Sequence, residues 1–195
     1  MENKLIDLLK ELEQFSVEND ARVKNRAEKM LNITPDTGPF LVLLIRALNA
    51  KRVLEIGTSN GYSTLWLAHA VRPLGGVVTT VEISPLKADL ARRNFARAQF
   101  NSLINLEVMD ALDFLGKQPD EVFDFVFLDS YRVEYPAWWH DLQRVITPGA
   151  LLVCDNALTH AHEMKDFLAA VHQTPGYITS TVAVGHGQLV ILKER

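Results

Sequence analysis

The run Val53-Leu54-Glu55-Ile56-Gly57-Thr58-Ser59-Asn60-Gly61-Tyr62-Ser63-Thr64 constrains the fold more than any other stretch of the chain. An apolar run ends in an acid and a glycine. A second glycine, four residues on, opens a helical pattern. A strand that passes through a tight turn into a helix N-terminus is the ligand-receiving corner of an α/β sheet. A dinucleotide pyrophosphate needs G-x-G-x-x-G, whose glycines let backbone amides approach the phosphates. Here the spacing is G-x-x-x-G and Glu55 precedes the first glycine. A carboxylate there repels a phosphate and suits a nucleoside ligand that carries positive charge.

The rest of the chain alternates in a way that extends this corner into a sheet. Leu5, Leu8, Leu9, Leu12 and Phe15 recur at helical spacing, and a second helical stretch is expected from Asp20 to Leu31. Thr34 to Pro39 is a turn cluster, and Phe40 to Asn49 reads as helix with Pro39 in its first turn. Strands are then expected at Val53–Ile56, Val77–Ile83, Leu103–Met109, Val122–Leu128 and Ala150–Cys154. The helices between and after them are Tyr62–Val71, Pro85 to about Phe100, Ala111–Gly116, Tyr135–Ile146 and His162–His172. Tyr177–Val184 and Gln188–Lys193 are joined by the short Gly185-His186-Gly187 connection, which requires an antiparallel hairpin. The expected fold is a doubly wound, seven-stranded, mostly parallel α/β sheet with an antiparallel C-terminal hairpin. One domain spans 1–195, with an N-terminal helical segment over 1–31 and a cofactor-binding core over 32–195.

With 195 residues, 48% of them hydrophobic, the chain can bury one sizeable core. A net charge of -4 argues against a protein whose affinity comes from a basic surface, so no nucleic acid partner is expected. No apolar run reaches the length of a membrane span, and the amphipathic start Met1-Glu2-Asn3-Lys4 has no signal-peptide core. The single cysteine, Cys154, excludes an internal disulfide framework and fits a reducing cytoplasm.

Ligands in such sheets bind outside the carboxyl ends of the strands. Strand one ends at Glu55-Ile56-Gly57, strand two at Glu82, strand three at Asp110, strand four at Asp129 and strand five at Asp155-Asn156. An acid after one strand is an ordinary helix cap. Acids after every one of them repel one another, and a cationic cofactor and a metal would supply the missing partner. S-adenosylmethionine, with a sulfonium, an ammonium and no phosphate, meets the first demand. Glu82 can accept hydrogen bonds from both ribose hydroxyls. Asp110-Ala111 lies where an adenine edge would fall, although Asp110 can equally cap the short helix. Asp129, Asp155 and Asn156 are hard oxygen donors suited to Mg²⁺, or else ordinary turn and cap residues.

VLEIGTSNGYST, VEISP, MDALD, FDFVFLDSYRVEY and LLVCDNA, in this order, resemble the cation-dependent O-methyltransferases. That family includes catechol and caffeoyl-CoA O-methyltransferases and their small bacterial relatives. The resemblance runs from about Leu31 to the C-terminus and implies the class I methyltransferase fold. It implies that Asp129, Asp155 and Asn156 hold a divalent ion, Mg²⁺ or another. It also implies that Ile33 covers the methionine part of S-adenosylmethionine and that Glu55, Gly57, Thr58, Ser59 and Ser63 form the methionine-binding loop. Glu82 is then the ribose acid, Asp110 and Ala111 the adenine segment, and Asp129 a cofactor neighbour as well as a metal ligand. A homodimer and a small hydroxylated aromatic acceptor are implied in the same way.

Two departures bear on activity. The family usually places lysine three residues after the strand-four Asp, and here that residue is Arg132. A guanidinium stays protonated, so Arg132 cannot be a general base, but it can hold the acceptor oxygen or stabilise its anion. The segment after Asn156 is also short, which predicts an open or partner-completed acceptor site. His160 and His162 are the candidate bases if one is needed, against a plain solvated helix start. Of Trp138 and Trp139, one is expected in the core and the other at an oligomer face or acceptor edge. Tyr131 is a candidate lining residue. Arg92, Arg93 and Arg97 read as a solvated helix face, and Cys154 as inert core. A metal-independent small-molecule methyltransferase and a non-catalytic S-adenosylmethionine-binding protein are the alternative readings. A nucleic-acid methyltransferase is disfavoured, because strand four ends in Asp-Ser-Tyr-Arg rather than Asn/Asp-Pro-Pro-aromatic.

Overall fold

A computed structural model describes residues 3–195; Met1 and Glu2, the start of the expected N-terminal segment, lie outside the described residues. The strands are β1 (Arg52–Ile56), β2 (Val77–Glu82), β3 (Ile104–Val108), β4 (Phe123–Leu128), β5 (Ile146–Cys154), β6 (Tyr177–Val182) and β7 (Gln188–Lys193). The helices are α1 (Asn3–Arg22), α2 (Thr37–Leu48), α3 (Tyr62–Val71), α4 (Pro85–Arg97), α5 (Ala111–Gly116), α6 (Tyr135–Val145) and α7 (Ala161–His172). They build one seven-stranded sheet in the order β3-β2-β1-β4-β5-β7-β6. β1 to β5 run parallel, and β7 is antiparallel to both β5 and β6. Strand order reverses between β1 and β4, and the crevice beyond their carboxyl ends is where such sheets receive ligands.

Strand periodicity divides the core in two. Val53, Phe125 and Phe127 face the layer made with α1 to α4, while Leu54, Ile56, Val126 and Leu128 face the layer made with α5 to α7. Both faces of β4 are therefore covered, which is why it is apolar almost throughout.

Three local expectations are corrected. The stretch 20–31 is not a second helix: α1 continues to Arg22, and only a 3-10 turn at Arg26–Glu28 follows. Asp20 accounts for this. Its carboxylate accepts from Met30 N at 2.7 Å and Leu31 N at 2.8 Å, while Asn19 Nδ2 donates to the Glu28 carbonyl at 2.9 Å. These bonds fold the chain back on α1 as a strap, and local side chain to backbone bonds of this kind compete with helix. α2 begins earlier than expected, at Thr37, and takes in Gly38, where a Cβ would meet the Trp66 ring at 2.4 Å. Finally, both tryptophans of α6 are buried. Trp138 packs on Tyr135 with ring centroids 5.2 Å apart, and Trp139 meets Phe167 edge-on at 5.7 Å and donates from Nε1 to Thr174 Oγ1 at 3.0 Å. α7 and β6 supply the cover that the local pattern of α6 does not reveal. Cys154 is fully buried, its thiol pushed up by burial, as expected of inert core. Arg92 and Arg97 lie on an exposed face, paired with Asp89 and Glu11.

Candidate active site

A cavity of about 630 Å³ opens at the carboxyl ends of β1, β2, β4 and β5. Its lining includes Ile33, Gly57, Thr58, Ser59, Ser63, Glu82, Asp110, Ala111, Asp129, Arg132, Asp155 and Asn156. Of the residues singled out as cofactor, metal or catalytic candidates, Glu55 and His162 do not reach it.

The loop after β1 owes its shape to glycine and to a buried polar lattice. Gly57 has φ 108°, and a Cβ on it would lie 2.1 Å from the Asp129 carbonyl oxygen. The backbones of β1 and β4 thus approach too closely for a side chain. Glu55 lies behind the loop, fully buried, and accepts from Ser63 Oγ at 2.5 Å, Thr64 Oγ1 at 2.5 Å and Thr80 Oγ1 at 2.6 Å. It braces the loop from behind and does not line the cavity. Its in-line position after the apolar run suggested a rim acid, but strand alternation turns it inward, toward α3. Burial, with a smaller repulsion from Glu82, raises its pKa to about 7 against the partial relief of the three hydroxyls. The sign follows directly. The folded state holds the proton more tightly than the unfolded state, so this stability contribution is full below about pH 4.5 and is lost as pH rises through about 7. That loss amounts to about 3 kcal/mol. Urea denaturation from pH 5 to pH 8 should show a fall in stability that is shallower in Glu55→Gln; parallel curves for the two proteins would contradict this.

Glu82 sits at the end of β2 with Oε2 accepting from Ser59 N and Oε1 from Ser84 N, each at 2.8 Å. Those bonds fix the carboxylate plane and leave each oxygen a further lone pair for a ligand hydroxyl. Asp110 is the N-cap of α5, its Oδ1 accepting from Leu112 N at 2.8 Å and Asp113 N at 3.2 Å. The cap role is thus present, and the side chain is also on the cavity wall. Ser59, at φ 50°, donates from Oγ to the Met30 carbonyl at 2.7 Å and so ties the loop to the strap that carries Met30, Leu31 and Ile33 over the cavity.

The second constellation converges. Asn156, at φ 67°, places Nδ2 3.3 Å from Asp129 Oδ1 and 3.0 Å from Asp155 Oδ2. Asp129 is half-buried and Asp155 nearly inaccessible. Burial holds the Asp129 carboxyl well above the usual carboxylate range, with repulsion from Asp155 and Glu55 adding to it. Asp155 is raised by burial and partly relieved by Gln188, whose Nε2 donates to Asp155 Oδ1. Gln188 was not legible as a site residue; it is the first residue of β7, and only the hairpin brings it here. Among the described residues, no group of three or more His, Cys, Asp or Glu side chains is placed to hold a metal ion. The cluster present is two carboxylates and one carboxamide.

Arg132 lies in a 3-10 turn (Arg132–Glu134), only 5% exposed. Its Nε donates to Glu163 Oε2 on α7 at 2.8 Å and its Nη1 to the Ser130 carbonyl at 3.5 Å. Glu163 thus occupies one side of the guanidinium. His160 lines the cavity, while His162 is exposed and does not. Tyr131 and Trp138 line it too, and Arg26, Lys87 and His186 were not anticipated. The turn after Asn156 is strapped to the β6–β7 connection through Ala157 N to the Gly187 carbonyl, 2.9 Å, and Leu158 N to the His186 carbonyl, 3.1 Å. The shortness read in the sequence therefore produces a braced wall.

A model of the O-methyltransferase family matches residues 3–174. A catechol O-methyltransferase of Niastella koreensis is 35% identical over 131 residues, 66% of this chain and 59% of that protein. The catechol O-methyltransferase of Mycobacterium tuberculosis is 40% identical over 126 residues, 65% of this chain and 57% of that protein. The matched region thus spans less than two thirds of the length of these curated relatives. The O-methyltransferase from Bacillus cereus, solved in complex with SAH, is similar with a TM-score of 0.81 at 26% identity, over 96% of this chain and 91% of that one. No helix among the described residues is long and apolar enough to cross a membrane. With the sheet order, the reversed last strand and the match over residues 3–174 in agreement, this chain belongs to the O-methyltransferase family.

Proposed function

We propose that the chain is an S-adenosylmethionine-dependent O-methyltransferase, assisted by a divalent metal ion, acting on a hydroxyl of a small aromatic, catechol-like acceptor. The observation that carries the reading is the meeting of two sets of residues in one cavity. Glu82 and the Gly57–Ser63 loop form one wall, and Asp129, Asp155 and Asn156 form another. Family membership and the SAH complex of the Bacillus cereus relative support the cofactor.

S-adenosylmethionine supplies the transferable methyl group when bound. Glu82 would accept its ribose hydroxyls, and Ser59, Ser63 and the amides around Gly57 face the methionine end. The donor set of the second wall fits a hard cation: the two carboxylates repel each other, and a half-turn of the Asn156 amide presents Oδ1 in place of Nδ2. A divalent ion there supplies charge that lowers the pKa of an acceptor hydroxyl and fixes its direction. Arg132 carries a permanent positive charge beside that hydroxyl's site and favours its anion, but it accepts no proton. Tyr131 offers aromatic surface to an acceptor ring. The walls hold donor and acceptor in one orientation, which accounts for much of the rate of an in-line displacement.

Turnover on a catechol panel, followed by product mass, tests this reading. Methyl transfer that is lost on EDTA treatment and restored by Mg²⁺ is the expected result. Transfer undiminished after complete metal removal would leave the cofactor assignment standing and remove the metal. No transfer, together with undetectable binding of S-adenosylmethionine by calorimetry, would sink the whole reading.

A further inference from the structure

Arg132 makes an unexpected choice of partner. It is a nearly buried cation that lines the same cavity as Asp129 and Asp155. Buried opposite charges ordinarily close on one another, because an unpaired buried charge is costly. Yet among the described residues its one ion pair is to Glu163, on the first turn of α7. That bond takes Nε at 2.8 Å, and the Ser130 carbonyl takes Nη1 at 3.5 Å, so the guanidinium is held on two sides. The carboxylates are left with amide donors, from Gln188 and Asn156. These are weaker partners than a guanidinium and are more readily displaced or turned.

We propose that Glu163 is a positioning residue that holds Arg132 off the Asp129–Asp155 pair and so keeps that pair open to a divalent cation. This rests on the metal-assisted reading above. Without Glu163, the guanidinium keeps its need for a carboxylate, and Asp129 and Asp155 line the same cavity. Closing on them would neutralise the pair and fill the cation's place with a side chain of the same protein. α7 thus contributes to the site without touching a ligand. The device depends on an arginine at position 132, whose forked donors can bind a holder and still reach a second carboxylate.

Mn²⁺ binding to the intact protein, measured by calorimetry and by loss of the free-ion paramagnetic resonance signal, tests the proposal without using turnover. Glu163→Ala is expected to weaken Mn²⁺ binding by at least about tenfold. The double variant Glu163→Ala/Arg132→Met is expected to return it to within about twofold of the parent, because the competitor is gone. SAH affinity should change by less than about twofold in both. Mn²⁺ affinity unchanged in Glu163→Ala would overturn the proposal. So would a double variant as weak as the single one, which would mean that Glu163 merely supports the fold. A parent protein that binds no Mn²⁺ overturns it too, at the level of the metal itself, and parental turnover without metal would then identify the metal assignment as the failed step.

Discussion

Gly57→Ala unfolds at markedly lower denaturant than the parent and loses measurable SAH binding: this is the expected result of adding one methyl group where β1 meets β4. Two costs add. The backbone at φ 108° lies where an L side chain is strained, and the new Cβ would stand 2.1 Å from the Asp129 carbonyl oxygen and 2.8 Å from its carbon. Neither neighbour is a flexible side chain that can swing away. Strain and overpacking together are expected to cost about 3 to 5 kcal/mol. The relief available is to separate the ends of β1 and β4, which would pull Asp129 away from Asn156 and open the loop that faces Glu82. Gly75→Ala is the matched control. It also has positive φ, at 66°, but a Cβ there meets nothing within 4 Å, so about 1 kcal/mol is expected and binding is kept. Equal destabilisation of the two variants would show that backbone strain, and not the contact between strand ends, sets the requirement for glycine.

The second large effect runs in opposite directions for activity and stability. Asp129→Asn and Asp155→Asn are each expected to reduce methyl transfer by at least about 100-fold at saturating cofactor. The same variants, free of metal, should melt at or above the parent's temperature at pH 7. Both carboxyls are raised by burial, and Asp129 by repulsion from Asp155 as well. A raised carboxyl binds its proton more tightly when folded, so stability falls as pH rises from the ordinary carboxylate range through the raised values. The ionised pair is therefore a liability at neutral pH. Asparagine removes one charge and keeps an oxygen to accept from Gln188 or Asn156. Sites that hold a costly charge for function show this trade. Thermal melts of metal-free protein with and without added Mg²⁺ check it: the cation should raise the parent's melting temperature more than that of either variant. Variants that transfer methyl at the parental rate, or that melt well below the parent without metal, would contradict the assignment.

Most of the architecture was legible because it follows from local rules. The apolar runs of β1 and β4, the Gly57 and Gly61 turn and the glycine-bounded hairpin all carry their signals within a few residues. Asp110 was legible as far as local chemistry goes, since a cap needs only the next turn of helix. The failures share a cause. Asp20 to Leu31 has helical spacing, but the Asp20 carboxylate captures the amides of Met30 and Leu31 from ten residues away and overrides it. Trp139 is buried by Phe167 and Thr174, residues that no pattern in α6 foretells.

The chain's sequence by itself determined which acids stand at the ends of the strands, because strand ends and turns are set by neighbours along the chain. Only the tertiary structure decided what each acid does. Alternation across β1 turns Glu55 away from the cavity and into a set of hydroxyls. The β6–β7 hairpin delivers Gln188 to Asp155, and α7 delivers Glu163 to Arg132. The work of a charged group depends on which partners reach it through space, and such partners leave no mark in the spacing of its own segment.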